Sequence, residues 1–112
     1  MNVYDAAHEL ARALSRSQEY LELKAATEEL KKDSKAEEML RDLKAKQLEV
    51  EALKLSGRPT EEAERQLQNL YDIVSHHSLV KKYLEAEQRF FILMSDIQKI
   101  IAKAVDLDLD GR

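Results

Sequence analysis

Cysteine is absent from this 112-residue chain, so a disulfide framework, a thiolate zinc site and cysteine-ligated iron–sulfur clusters are all excluded for the chain by itself. Only one proline and two glycines occur, too few turn formers for a many-stranded sheet, and aromatic residues are only 5% of the total. No apolar run approaches the ~20 residues needed to cross a bilayer, and the opening MNVYDAAHEL lacks the basic-then-apolar order of a secretion signal. A cytoplasmic location is therefore expected. Excess positive charge is also missing. At a net charge of −4, the chain has no general surface for phosphate backbones, which makes nucleic acid an unlikely partner.

What remains is a chain that is 36% charged and 44% hydrophobic, arranged with helical spacing. The expected fold is all-α: one domain over 1–112, an elongated antiparallel helical bundle. Two long helices are placed at 34–55 and 78–105, with shorter ones at 2–15, 17–32 and 60–77. Asn2 is suited to cap the first helix, with Asp5 three residues on. Ser17 caps the second, and Asp33-Ser34 breaks it from the third. Ser56-Gly57-Arg58-Pro59-Thr60 is the clearest turn, with Gly57 ending one helix, Pro59 blocking its continuation and Thr60 capping the next. Ser78 is read as the cap of the last helix. Ala36, Leu40, Leu43, Gln47 and Val50 keep heptad spacing, widened by Met39, Leu48 and Leu53, with Gln47 read as an edge position near solvent. A faint internal echo relates Ser17, Leu23 and Ala25 to Ser78, Leu84 and Ala86 at equal offsets.

The stretch 78–105 organises the rest. At 100° per residue Val80, Tyr83, Phe90, Met94, Ile97, Ile101, Ala104 and Val105 share one broad face, and Leu93, Ile100, Leu84, Phe91 and Ala102 widen it past half the circumference. Such a helix needs cover from several directions, more than one protomer of this length supplies. A homodimer or larger assembly with 78–105 at its interface is expected. Lys81, Glu85, Gln88, Ser95, Lys99 and Lys103 form a wet side in which Ile92 stands alone. Glu87 projects among apolar residues and requires a partner such as Arg12, Arg41, a lysine or a tyrosine hydroxyl if buried. The candidate interaction residues are Tyr83, Glu87, Phe90, Phe91, Ile92, Met94, Ile97 and Ile101.

Candidate chemistry is sparse. His76 and His77 point about 100° apart on a helix and do not share one ion; a helix-end role, bonding free carbonyls, suits them better, and His8 adds little. Asp106-Leu107-Asp108-Leu109-Asp110-Gly111 opens like a calcium loop, but the later ligands and the glutamate at position 12 do not follow, so 106–112 is read as a flexible acidic tail. No Gly-rich phosphate loop, nucleophile set or metal cluster is recognisable; neither a cofactor nor an enzymatic activity is expected.

A resemblance adds to this reading. Leu84-Glu85-Ala86-Glu87-Gln88-Arg89, Leu93 and Lys99-Ile100-Ile101-Ala102-Lys103 are similar to the last helix of the YheA-like branch of the YlbF/YmcA family of Gram-positive bacteria. Val3-Tyr4-Asp5, the Leu10/Leu14 spacing, Ser17-Gln18-Glu19-Tyr20 and Leu23-Lys24 resemble its opening helices. The resemblance implies a non-enzymatic regulator acting by protein–protein contact, with itself and another regulatory protein as partners. Its better-known relatives act in competence, biofilm formation, sporulation and RNA processing. Lack of cysteine departs from the iron–sulfur-linked complex attributed to those relatives. The alternative reading is an RNA-binding accessory using Lys81, Lys99, Lys103 and Arg89.

Overall fold

The computed structural model describes residues 1–106, and all five elements among them are helices: α1 (Val3–Ser15), α2 (Gln18–Lys31), α3 (Ser34–Leu55), α4 (Glu61–Val74) and α5 (Ser78–Ala104). The acidic tail and its calcium-like spacing fall outside the described residues apart from Asp106.

Local chemistry sets most of the boundaries. The Asp5 amide donates to Asn2 Oδ1 at 2.8 Å, the Tyr20 amide to Ser17 Oγ at 3.1 Å, and Asp33 Oδ1 accepts from both Lys35 and Ala36. Each of these caps satisfies an amide that the first helical turn leaves unpaired. At Gly57 the backbone turns left-handed (φ 70°), and the Arg58 amide reaches back to the Leu53 carbonyl at 3.0 Å. This closes α3 in the Schellman manner, for which glycine is the inexpensive residue.

Two caps differ from expectation. Thr60 makes no side-chain cap bond and sits in a helical backbone conformation, where its hydroxyl is not aimed at the following amides. The cap of α5 is His77 rather than Ser78, with the Leu79 amide donating to His77 Nδ1 at 3.3 Å. The chain leaves α4 at Val74, and Ser75-His76-His77 form the turn instead of extending that helix to 77.

Helix α5 runs antiparallel to α2, its most extensive neighbour. Arg89 meets Glu22 (3.3 Å), Lys82 meets Glu29 (3.5 Å), His77 meets Asp33 (3.5 Å), and the rings of Phe90 and Tyr20 lie 5.9 Å apart. Ala26 and Ala86 fall at the same level of this register and are both buried, so the two backbones approach where side chains are smallest. Helices α3 and α4 form a second antiparallel pair, with Lys46 Nζ donating to Gln66 Oε1 (2.8 Å) and Lys54 near Glu64 (3.5 Å).

The core lies where the end of α2, the first half of α3, the end of α4 and the start of α5 meet. Leu30, Ala36, Leu43, Val74 and Val80 are buried there, with Leu40, Leu67, Leu79 and Leu84 packed around them. Leu48 does not widen the α3 stripe as expected; it is 70% exposed, and Gln47 is exposed too. The expected elongation is realised as a thin slab of 47 × 38 × 16 Å with a radius of gyration of 18.2 Å. A compact chain of this size has a radius near ~13 Å, and one helix with side chains is already ~10–12 Å across. The slab is therefore thin and open, and α1 has no buried residue at all.

Candidate functional site: the uncovered surface of α5

Eight residues of α5 are candidates for interaction, and the slab divides them. Tyr83, Glu87 and Phe90 turn inward. Tyr83 packs beside the core, and Phe90 lies against Tyr20 of α2. Glu87 is half-buried and has found two partners: Lys44 Nζ donates to its Oε2 at 2.6 Å and Tyr83 Oη donates to the same oxygen at 3.0 Å. The Lys44 ammonium also stands 5.8 Å from the centre of the Tyr83 ring, within cation–π range. The partner is thus a lysine of α3 together with a tyrosine one helical turn back; Arg12 and Arg41 are not involved. Burial and the neighbouring Glu87 carboxylate push the Tyr83 phenol up to about 12, because both disfavour the phenolate.

Phe91 and Ile92 are both open, 66% and 49% exposed, and Ile92 lies on the side of α5 opposite Tyr83. Being consecutive, they point about 100° apart around the helix, so each is a separate open apolar position. Met94 and Ile97 are half-buried, and Ile101 remains half exposed beside Ile100 and Val105. The broad face expected of α5 is consequently covered only over its first half. Sequence reasoning did not single out Val3 and Tyr4 of α1 as interaction residues, yet both are open. Their spacing marks a buried stripe, and nothing in that spacing says that the stripe has no cover within the chain.

A cleft of about 760 Å³ between α4 and α5 is lined by Gln47, Tyr71, His76, Lys81 and Gln88 among others. Ser75 and His76 lie in it without forming a nucleophile–base pair. Ser75 Oγ donates to the Asp72 carbonyl at 3.1 Å, and His76 Nδ1 contacts the same oxygen at 2.5 Å. Both side chains are thus tied to the end of α4. Among the described residues no three histidine, aspartate or glutamate side chains converge as a metal site, and no helix is long and apolar enough to cross a membrane.

Among solved structures, this fold is similar to a protein of unknown function (DUF964) from Bacillus stearothermophilus, with a TM-score of 0.83 over 93% of this chain and 92% of the other at 21% identity. In sequence the chain is 45% identical over 107 residues to a UPF0342 protein of Caldicellulosiruptor saccharolyticus, covering 95% of this chain and 89% of the relative. It is 44% identical over 108 residues to a UPF0342 protein of Symbiobacterium thermophilum, covering 96% of each. The family model described as control of competence regulator ComK, YlbF/YmcA, matches residues 3–106. Near-complete coverage by that family, with relatives of this identity, places the chain in the YlbF/YmcA family.

Proposed function

We propose that this protein is a non-catalytic, self-associating helical adaptor that works in the cytoplasm by protein–protein contact, in regulation of the kind its family description names. One observation carries the reading. The longest helix leaves Phe91, Ile92, Ile100 and Ile101 open, and Val105 just past its end is open too. Exposed aliphatic residues are ordinary when single, whereas grouped ones on a rigid helix mark a contact surface. The cleft beside α4, in which Ser75 and His76 are engaged by backbone, supports binding over catalysis.

The RNA-accessory reading is weaker. Arg89 is engaged by Glu22, and the cations left to it, Lys81, Lys99 and Lys103, share the helix with Glu85 and Asp96.

Sedimentation at micromolar concentration tests self-association. Purification of the tagged protein from its host, with and without nuclease, tests the adaptor role. A stoichiometric protein partner that survives nuclease and is lost on Phe91→Ser/Ile92→Ser is the expected result. Loss of all partners on nuclease treatment would transfer the assignment to the RNA-accessory reading.

A further inference from the structure

We propose that the distal half of α5 is completed by a second copy of this chain, whose α1 lies along it while its own α5 receives α1 in return. The inference rests on the self-association proposed above and specifies its geometry.

Helix α2 accompanies α5 only part of the way. Asp33 stands at His77, Tyr20 at Phe90 and Glu22 at Arg89, so the first residue of α2, Gln18, is level with residues 92 and 93. Beyond that level, 94–104 has no α2 beside it, an overhang of about 16 Å at the helical rise. From its edge onward Leu93, Ile97, Ile100 and Ala104 recur at i, i+4, i+7 and i+11; Leu93 and Ile97 are half-buried and Ile100 is 69% exposed.

Helix α1 has the matching dimensions. It is 13 residues long, about 20 Å, and Val3, Ala7, Leu10 and Leu14 recur at the same i, i+4, i+7 and i+11 positions. Neither stripe contains a charged residue, as the centre of a stable interface requires. Val3 and Tyr4 are 82% and 79% exposed. Within the chain α1 packs on α2 and not to a comparable extent on α5. The Arg16 and Ser17 amides donate to the Ala13 and Leu14 carbonyls, and Ser17 Oγ donates to the Leu14 carbonyl while accepting from the Tyr20 amide.

The surface area is consistent with a missing partner. The chain exposes 8755 Å². A compact monomer of 12.9 kDa exposes about 6,300 Å². The excess, about 2,400 Å², is ample for a stable interface, which takes roughly 800 Å² from each side. Exchange of α1 across a two-fold axis makes the same contact twice and closes on itself, so a dimer is the product.

The chain has no cysteine, which gives a clean test. Tagged copies carrying His8→Cys and untagged copies carrying Gln98→Cys, at positions flanking the two stripes, are mixed, equilibrated and treated with a short bis-maleimide. The expected result is a covalent tagged–untagged adduct. In parallel, Val3→Glu and Ile100→Glu, both at open positions, should each weaken association roughly tenfold or more without changing helix content or melting of the dissociated chain. A wild-type protein that is monomeric overturns this inference together with the proposed self-association. A wild-type dimer that gives no such adduct and is unaffected by both glutamates overturns the inference alone, as does a chain bearing both cysteines that cross-links only within one copy.

Discussion

Lys44 of α3 and Glu87 of α5 meet at 2.6 Å, across 43 residues of chain, and the Tyr83 hydroxyl closes on the same carboxylate oxygen. Both charged side chains keep more than a third of their surface in water, so solvent screens most of the Coulomb attraction. Glu87→Gln and Lys44→Met should each change unfolding free energy by no more than about 1 kcal/mol. Leu43→Ala, one residue from Lys44 and fully buried, should cost about 2–5 kcal/mol. Urea titrations of the three variants check the contrast.

Tyr83 gives this region a pH dependence. Its phenol is raised from 10.0 to about 12, so the folded chain retains a proton that the unfolded chain releases earlier. The stabilisation is fully present below pH 10 and is lost as pH rises through about 12. Thermal melts of wild type and Tyr83→Phe between those limits should show a decline in the former that is reduced in the latter. Equal slopes would mean that Tyr83 does not keep its proton in the folded state.

The α2/α5 seam depends on small residues. Ala86→Leu inserts a large side chain opposite Ala26, where both positions are buried, and should destabilise by about 1–3 kcal/mol. The same substitution at Ala102, which is exposed, should be nearly neutral. Guanidinium unfolding distinguishes these outcomes.

The helix caps should separate in the same way. Asp33→Ala removes the acceptor for two amides and the neighbour of His77, an expected loss of about 1 kcal/mol or slightly more. Thr60→Ala removes a hydroxyl that caps nothing and should be close to silent in a thermal melt.

The helices and the turn at Gly57 were legible because their signals are local: capping side chains, the spacing of Ala36, Leu43 and Val50, and a glycine where φ is positive. Reading Glu87 as a polar residue in need of a partner was also sound. The sequence did not identify Lys44 as that partner, since helical periodicity orients a residue within its own helix and carries no register between helices. The Ala26/Ala86 seam was missed for a related reason. Alanine fits both surface and core, and only the antiparallel alignment of α2 with α5 reveals that these two share a level. Thr60 and Ser78 suit cap positions chemically, but the backbone conformation at Thr60 and the approach of His77 to Asp33 decided otherwise. The interaction surface was half legible. Periodicity identified α5 as too apolar for one protomer, but whether Ile101 is covered depends on where α2 stops.

The antiparallel register has a consequence for the order in which the chain acquires structure during synthesis. Helices α3 and α4 are neighbours in sequence, joined by a tight turn, and can pair as soon as residue 74 is available. Helix α2 emerges earlier, yet its main partner begins at Ser78 and reaches Glu22 only at Arg89, 67 residues later. A nascent chain therefore carries the α3/α4 hairpin as its first closed unit, with Leu30 able to join it, while the rest of α2 waits with Ala26 uncovered. Closing that long loop last makes the α2/α5 seam the step at which folding is completed, and the segment most exposed to capture by chaperones before then.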